Sequence, residues 1–113
     1  MPMTYRAPLM LTACLMLALS HAANADDASF NLTLKDHRFA PAELTIPANQ
    51  RVRLVVKNLD ATPAEFESKN FKAEKVVPAG REVSLTIGPL KPGTYEFFDE
   101  YHEAETKGRL IVK

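Results

Sequence analysis

Short stretches of alternating apolar and polar residues, separated by turns rich in proline and glycine, recur along most of this chain. Phe30, Leu32 and Leu34 alternate with polar neighbours, which is the pattern of a half-buried strand. Further strands are expected at 44–46, 52–57, 64–68, 76–77, 83–87, 94–99 and 109–113. No long window after residue 25 has a helical period. Strands spaced at roughly 8–12 residues predict an all-β, two-sheet antiparallel sandwich of about seven to eight strands.

The first 25 residues have the composition of a secretory signal peptide. Arg6 supplies a positive charge ahead of an apolar stretch, 9–19, that is too short to span a bilayer. The Ala-Asn-Ala sequence at 23–25 fits the small-x-small pattern of a cleavage site. We therefore expect residues 1–25 to be removed and residues 26–113 to form one small secreted domain. A membrane anchor and a lipoprotein signal are the alternatives for the first segment.

The expected mature domain contains no sulfur ligand. Cys14 is the only cysteine of the chain, and the last of its four methionines is Met16. The domain therefore has neither a disulfide nor a thiolate ligand. Basic and acidic residues are balanced at 14 each, which argues against a nucleic-acid-binding protein, because such proteins carry a basic face. The chain also lacks a Gly-x-Ser-x-Gly motif and a glycine-rich phosphate loop, so nothing in it suggests a hydrolase.

Two acidic residues recur in the strand expected at 64–68. Glu65 and Glu67 lie on one face of that strand, because side chains on one face recur every two residues. They could form the solvated face of a strand whose Phe66 is buried. They could equally supply two carboxylate oxygens to a metal ion.

A second concentration of acidic residues follows the next-to-last expected strand. Asp99 shares a face with the apolar Phe97, where a carboxylate is costly unless it is paired or bound to a metal. Glu100 and His102 come directly after it and could be solvated loop residues or further ligands. Carboxylate together with imidazole suits iron, Cu(II) or Mn(II), and is poor for Cu(I). The other histidine of the domain, His37, is expected in a turn.

Several segments resemble the cupredoxins, the small Greek-key sandwiches of the blue-copper proteins. The segments are 52–58, Phe39-Ala40-Pro41, Ile46-Pro47-Ala48, Leu90-Lys91-Pro92-Gly93-Thr94-Tyr95 and Gly108-Arg109-Leu110-Ile111-Val112. The resemblance implies that Glu65 stands at the first ligand position and Asp99 at that of the cysteine. It also implies that His102 is a retained ligand, and that the axial methionine is replaced near Thr106 or Lys107. Blue-copper electron transfer needs the copper–thiolate bond, so the resemblance implies the fold without that function.

The segments 63–68 and 97–102 resemble a narrower group, the periplasmic cupredoxin-like components of bacterial ferrous-iron uptake systems. These proteins work beside a membrane iron permease, so the resemblance implies a periplasmic protein that binds iron. The metal ligands expected from it are Glu65, Glu67, Asp99, Glu100 and His102. Whether the protein itself oxidises Fe(II) is left open by the sequence. A Cu(II)-binding protein for copper handling or electron transfer is one alternative, and a metal-free docking module for a membrane partner is another.

Overall fold

The computed structural model describes residues 3–4 and 27–113, and the expected signal peptide lies almost entirely outside them. Nine strands in these residues form two sheets, and one 3₁₀ turn spans Glu100–His102. In chain order the strands are β1 Ser29–Lys35, β2 Arg38–Ala40, β3 Glu43–Ile46, β4 Val52–Asn58, β5 Ala64–Ser68, β6 Ala73–Val77, β7 Glu82–Ile87, β8 Gly93–Asp99 and β9 Gly108–Val112. No helix in the described residues is long and apolar enough to cross a membrane.

The two sheets have the strand orders β2-β1-β4-β7 and β3-β9-β8-β5-β6. The predicted all-β sandwich is confirmed, with one more strand than expected because the short β2 forms a hairpin with β1. Two neighbouring pairs, β1 with β4 and β3 with β9, are parallel, and the other pairs are antiparallel. The expected antiparallel pairing is therefore wrong for these two pairs. Alternation in a sequence reports which face of a strand is buried, and it carries no information on strand direction.

The strand β3 lies at an edge of the five-stranded sheet, as its flanking prolines predict. Pro41 precedes it and Pro47 follows it, and proline cannot donate a hydrogen bond to a ladder. One side of β3 pairs with β9, and its other side has no neighbouring strand among the described residues. The prolines therefore limit the length of an open edge.

The core lies between the two sheets and is built from the inward-facing apolar residues of both. Its centre is an aromatic cluster in which the rings of Phe39 and Phe97 meet edge to face, with centroids 5.2 Å apart. Phe66 packs on both, with centroid distances of 6.1 Å to Phe39 and 5.5 Å to Phe97. Such edge-to-face pairs stabilise a core beyond the area that they bury. The cluster ties β2, β5 and β8 together next to the 3₁₀ turn.

The register between β5 and β8 determines which acidic side chains face the core. Phe66 pairs with Asp99, and Glu67 pairs with Phe98. Directly opposite residues lie on the same face of a sheet, so Asp99 points inward beside Phe66. Glu65 and Glu67 flank Phe66 and therefore point to the outer face.

Candidate metal centre

The five residues expected to bind one metal lie close together but form two groups, on the two faces of the five-stranded sheet. The first, the carboxylate group, has donor oxygens within 4.8 Å of one another and consists of Glu65, Glu67 and Glu100. The second, the imidazole group, has donor atoms within 4.8 Å of one another and consists of His37, Asp99 and His102. Alternation along β5 separates the groups, because Phe66 and its partner Asp99 face inward while the neighbouring glutamates face outward.

The carboxylate group combines burial with missing hydrogen-bond donors. Glu65 is only 9% exposed although it lies on an outer face, because the 3₁₀ turn packs against β5 there. Glu67 is half-buried and Glu100 is exposed. Glu65 Oε1 and Glu67 Oε2 are buried and find no hydrogen-bond partner among the described residues. A buried oxygen without a donor costs free energy, and a cation bound between the carboxylates would satisfy both atoms.

The members of the carboxylate group shift one another's pKa. The pKa of Glu100 is raised to about 7, because its carboxyl hydrogen-bonds Glu65 and then Glu67, and partial burial and the negative charges of both act in the same direction. The pKa of Glu65 is lowered by the hydrogen bonds that it receives from Glu100 and then Glu74, an effect that burial opposes. Within the group, Glu100 therefore holds a proton to a higher pH than Glu65 does.

Two further side chains border the carboxylate group and were not among the expected ligands. Glu74 lies on β6 directly opposite Glu67, and its pKa is raised by a hydrogen bond with Glu65 and by the negative charge of that residue. The pKa of Tyr101 is raised by partial burial and then by its hydrogen bond to Glu65. The register of β5 with β6 is the signal that identifies Glu74, and a single sequence does not reveal that register.

Asp99 is buried, and both oxygens of its carboxylate contact polar groups of neighbouring residues. Oδ1 accepts hydrogen bonds from the main-chain N–H groups of Glu65, at 2.8 Å, and Tyr101, at 3.0 Å. Oδ2 lies 3.2 Å from Nδ1 of His102. The hydroxyl of Thr106 accepts a hydrogen bond from the Asp99 N–H at 2.8 Å and donates one to the His102 carbonyl at 2.9 Å. The loop from Asp99 to Thr106 is thus fixed around the acid, and Oδ2 remains the oxygen that faces an imidazole.

His37 occupies a turn, as the sequence indicates, but its ring belongs to the imidazole group. The turn connects β1 and β2, and the ring stacks on His102 with centroids 4.0 Å apart and planes 33° apart. Its Nδ1 lies 3.7 Å from Oδ2 of Asp60. Nothing in the local sequence indicates this contact, because His37 follows a strand of one sheet and His102 follows a strand of the other.

The donors do not fit a blue-copper centre. Such a centre needs a thiolate, and the described residues contain no cysteine and no methionine after Met3. The carboxylate group offers oxygen donors alone, and the imidazole group offers two nitrogens with one oxygen. The first set suits a hard cation and the second a borderline divalent cation.

Solved structures share this fold at low sequence identity. Auracyanin A, a blue copper protein from Chloroflexus aurantiacus, matches with a TM-score of 0.66 and 17% identity over 78% of this chain and 100% of that one. The metal binding domain of the Cu(I)-exporting P-type ATPase CopA of Streptococcus pneumoniae D39 matches with a TM-score of 0.67 and 13% identity. That match covers 75% of this chain and 84% of that domain. At these identities the likeness establishes the fold alone.

Sequence comparison identifies a related protein and a matching domain family. An uncharacterized protein of Rickettsia prowazekii (strain Madrid E) is 38% identical over 81 residues, which are 72% of this chain. The match spans 65% of that relative's length. The model of the cupredoxin-like domain matches residues 8–112 of this chain. The chain therefore belongs to the cupredoxin-like domain family.

Proposed function

We propose that the protein is a periplasmic metal-binding component of a ferrous-iron uptake system, and that its carboxylate group binds the iron. The observation that carries this proposal is the convergence of Glu65, Glu67 and Glu100 with donor oxygens within 4.8 Å. Two of their oxygens are buried without a hydrogen-bond donor. Buried carboxylates are found paired or bound to metals, and none of the ion pairs among the described residues involves these three carboxylates.

Oxygen donors match iron in both of its common oxidation states. A carboxylate ligand must be deprotonated, so Fe(II) and a proton compete for Glu100. Hard oxygen ligands stabilise Fe(III) more than Fe(II), so Fe(II) in this group loses one electron more readily to an acceptor such as dioxygen. We regard metal capture as the primary role and oxidation as a consequence of the ligand chemistry.

The proposed partner is a membrane iron permease. The resemblance of 63–68 and 97–102 to the cupredoxin-like components of ferrous-iron uptake supports this partner, and the signal peptide expected at 1–25 supports a periplasmic location. Glu100 is exposed on the 3₁₀ turn, so iron held by the group is accessible from the surface. A site that is open to solvent on one side suits a component that both captures and releases its cargo.

Anaerobic titration with Fe(II), followed by calorimetry and thermal unfolding, tests the proposal. The parent is expected to bind and to unfold at a higher temperature with iron, because a ligand of the native state alone stabilises it. Glu67→Gln and Glu65→Gln keep the shape and remove one charge each, and we expect at least about tenfold weaker binding. Glu82→Gln, on β7 in the other sheet, is the matched control.

Iron binding that is equally tight in the parent and in both glutamine variants would rule out the carboxylate group. A parent that neither binds Fe(II) nor responds to it in thermal unfolding would leave the docking-module alternative. For the uptake role, a strain that lacks this protein should lose permease-dependent Fe(II) uptake. The parent should restore that uptake and Glu67→Gln should not.

A further inference from the structure

We propose that Glu74 is a fourth carboxylate of the iron site and that it makes the site select trivalent over divalent cations. This inference rests on the proposed function and deepens it, because it gives the charge of the ion that the site retains. Glu74 is not among the ligands that the sequence predicts. It lies on β6, directly opposite Glu67 on β5, so the two side chains stand on the same, outer face of the sheet.

Glu74 and Glu100 border the buried part of the carboxylate group from two different elements. Oε1 of Glu65 and Oε2 of Glu67 are buried and find no hydrogen-bond partner among the described residues, and Glu65 as a whole is 9% exposed. Glu100 belongs to the 3₁₀ turn and Glu74 to β6, and the carboxyl of each hydrogen-bonds Glu65. A cation that binds the two unpartnered oxygens therefore lies close to all four carboxylates.

No basic side chain forms an ion pair with any of these four carboxylates in the part of the chain that the structure describes. Lys75, next to Glu74 in the sequence, pairs with Phe66 and so lies on the other face of the strand. Like charges directly opposite each other destabilise an antiparallel pair, and Glu67 with Glu74 is such a pair. A cation bound beside them replaces this repulsion with attraction.

The charge of the four carboxylates favours a trivalent ion. When all four are ionised, a divalent ion leaves twice as much negative charge uncompensated as a trivalent ion does. The Coulomb energy between a carboxylate and a cation is proportional to the charge of the cation. Glu74 therefore contributes about half as much again to the binding of Fe(III) as to that of Fe(II). A site with this fourth carboxylate retains Fe(III) more strongly than a site with three.

Competition titrations of the metal-free protein with Fe(II), under anaerobic conditions, and with Ga(III), a redox-inert trivalent ion supplied as its nitrilotriacetate complex, test the role of Glu74. Glu74→Gln keeps the shape of the side chain and removes one charge. We expect it to weaken Fe(II) binding about tenfold and Ga(III) binding about 30-fold, because the lost Coulomb energy scales with the charge of the ion. The reduction potential of the bound iron should rise by about 30 mV, which is this roughly threefold change in selectivity at about 59 mV per tenfold.

Two further variants make the test independent of a single substitution. Glu96→Gln removes an exposed carboxylate from the same outer face, on β8, and is the matched control that should bind both ions as the parent does. Glu74→Lys reverses the charge at an exposed position, so it should lower the ratio of Ga(III) to Fe(II) affinity by about tenfold. The series Glu, Gln, Lys at position 74 thus predicts a graded loss of selectivity.

Equal losses of Fe(II) and Ga(III) affinity in Glu74→Gln, or no loss of either, would overturn the role given to Glu74. The same change of selectivity in Glu96→Gln would overturn it too, since any carboxylate of this face would then serve. A parent that binds neither ion would overturn the proposed function together with this inference. Normal Fe(II) binding in the parent with unaltered selectivity in both Glu74 variants would overturn this inference alone.

Discussion

Asp60 stabilises the two-residue turn between β1 and β2. Its carboxylate accepts hydrogen bonds from the main-chain N–H groups of Asp36 and His37, the two left-handed residues between β1 and β2. Its own N–H is in turn bonded to the side chain of Asn58, at 2.9 Å. Asn58 is fully buried and also donates to the carbonyls of Thr62 and Val77. The turn is thereby connected through Asp60 to the hydrogen bonds of a buried asparagine.

Removal of this carboxylate should weaken the protein measurably. We expect Asp60→Ala to lower the free energy of unfolding by about 1–2 kcal/mol, because two main-chain donors lose a charged acceptor. The matched control is Asp27→Ala, which breaks an exposed ion pair with Arg51 and should cost less than about 1 kcal/mol. Urea denaturation measures both values. Equal losses in the two variants would contradict the role given to Asp60.

At the scale of elements, β8 and β9 meet at an unusually close contact. Gly108 pairs with Phe97 in the register, and the ring of Phe97 occupies the space that a Cβ on Gly108 would need. The same ring belongs to the aromatic cluster with Phe39 and Phe66. A side chain at Gly108 would therefore push on the centre of the core.

Gly108→Ala should destabilise the fold by roughly 1–3 kcal/mol, the usual cost of overpacking a core. Gly93, at the other end of the same strand pair, supplies the comparison, because a Cβ there would stand 3.5 Å from the Tyr95 ring, an ordinary contact. Gly93→Ala should change the unfolding midpoint little. A Gly108→Ala protein as stable as Gly93→Ala would show that the Phe97 ring moves aside without cost.

At the same scale, the sequence predicts where strands lie but not how distant strands pair. Alternation identifies β1, β4 and β7, and the two prolines identify the edge strand β3, because these signals are local. The single site expected from Glu65, Asp99 and their neighbours becomes two groups, because the pairing of Phe66 with Asp99 is a register between distant strands. His37 is recognisable as a turn residue. Its place beside His102 depends on how the two sheets pack, which no local pattern reports.

At the scale of the whole molecule, the carboxylate group makes stability depend on pH. The folded protein holds the pKa of Glu100 at about 7, against 4.5 for the ordinary side chain. A raised pKa contributes stability below pH 4.5, and this contribution is lost as the pH rises through about 7. The raised pKa of Glu74 acts in the same direction. The lowered pKa of Glu65 acts only in more acidic solution, where its contribution is lost as the pH falls.

We therefore expect the metal-free protein to melt at a lower temperature at pH 8 than at pH 5. In Glu100→Gln, which carries no titrating group at that position, the difference between the two pH values should be smaller. Thermal unfolding by circular dichroism across this range, in the presence of a chelator, measures both proteins. Parallel curves for the parent and the variant would mean that Glu100 does not titrate in this range.

One peptide unit joins the carboxylate group to the imidazole group. Glu65 extends its side chain to the outer face of the sheet, while its main-chain N–H donates to Asp99 Oδ1 on the inner face. Cations on either side of this unit repel each other through a medium of low polarity, so we expect their binding to be anticooperative. Such coupling is reciprocal, so the factor by which a cation in one group weakens the binding of a cation in the other is the same in both directions. The charge that one group holds is therefore felt by the other.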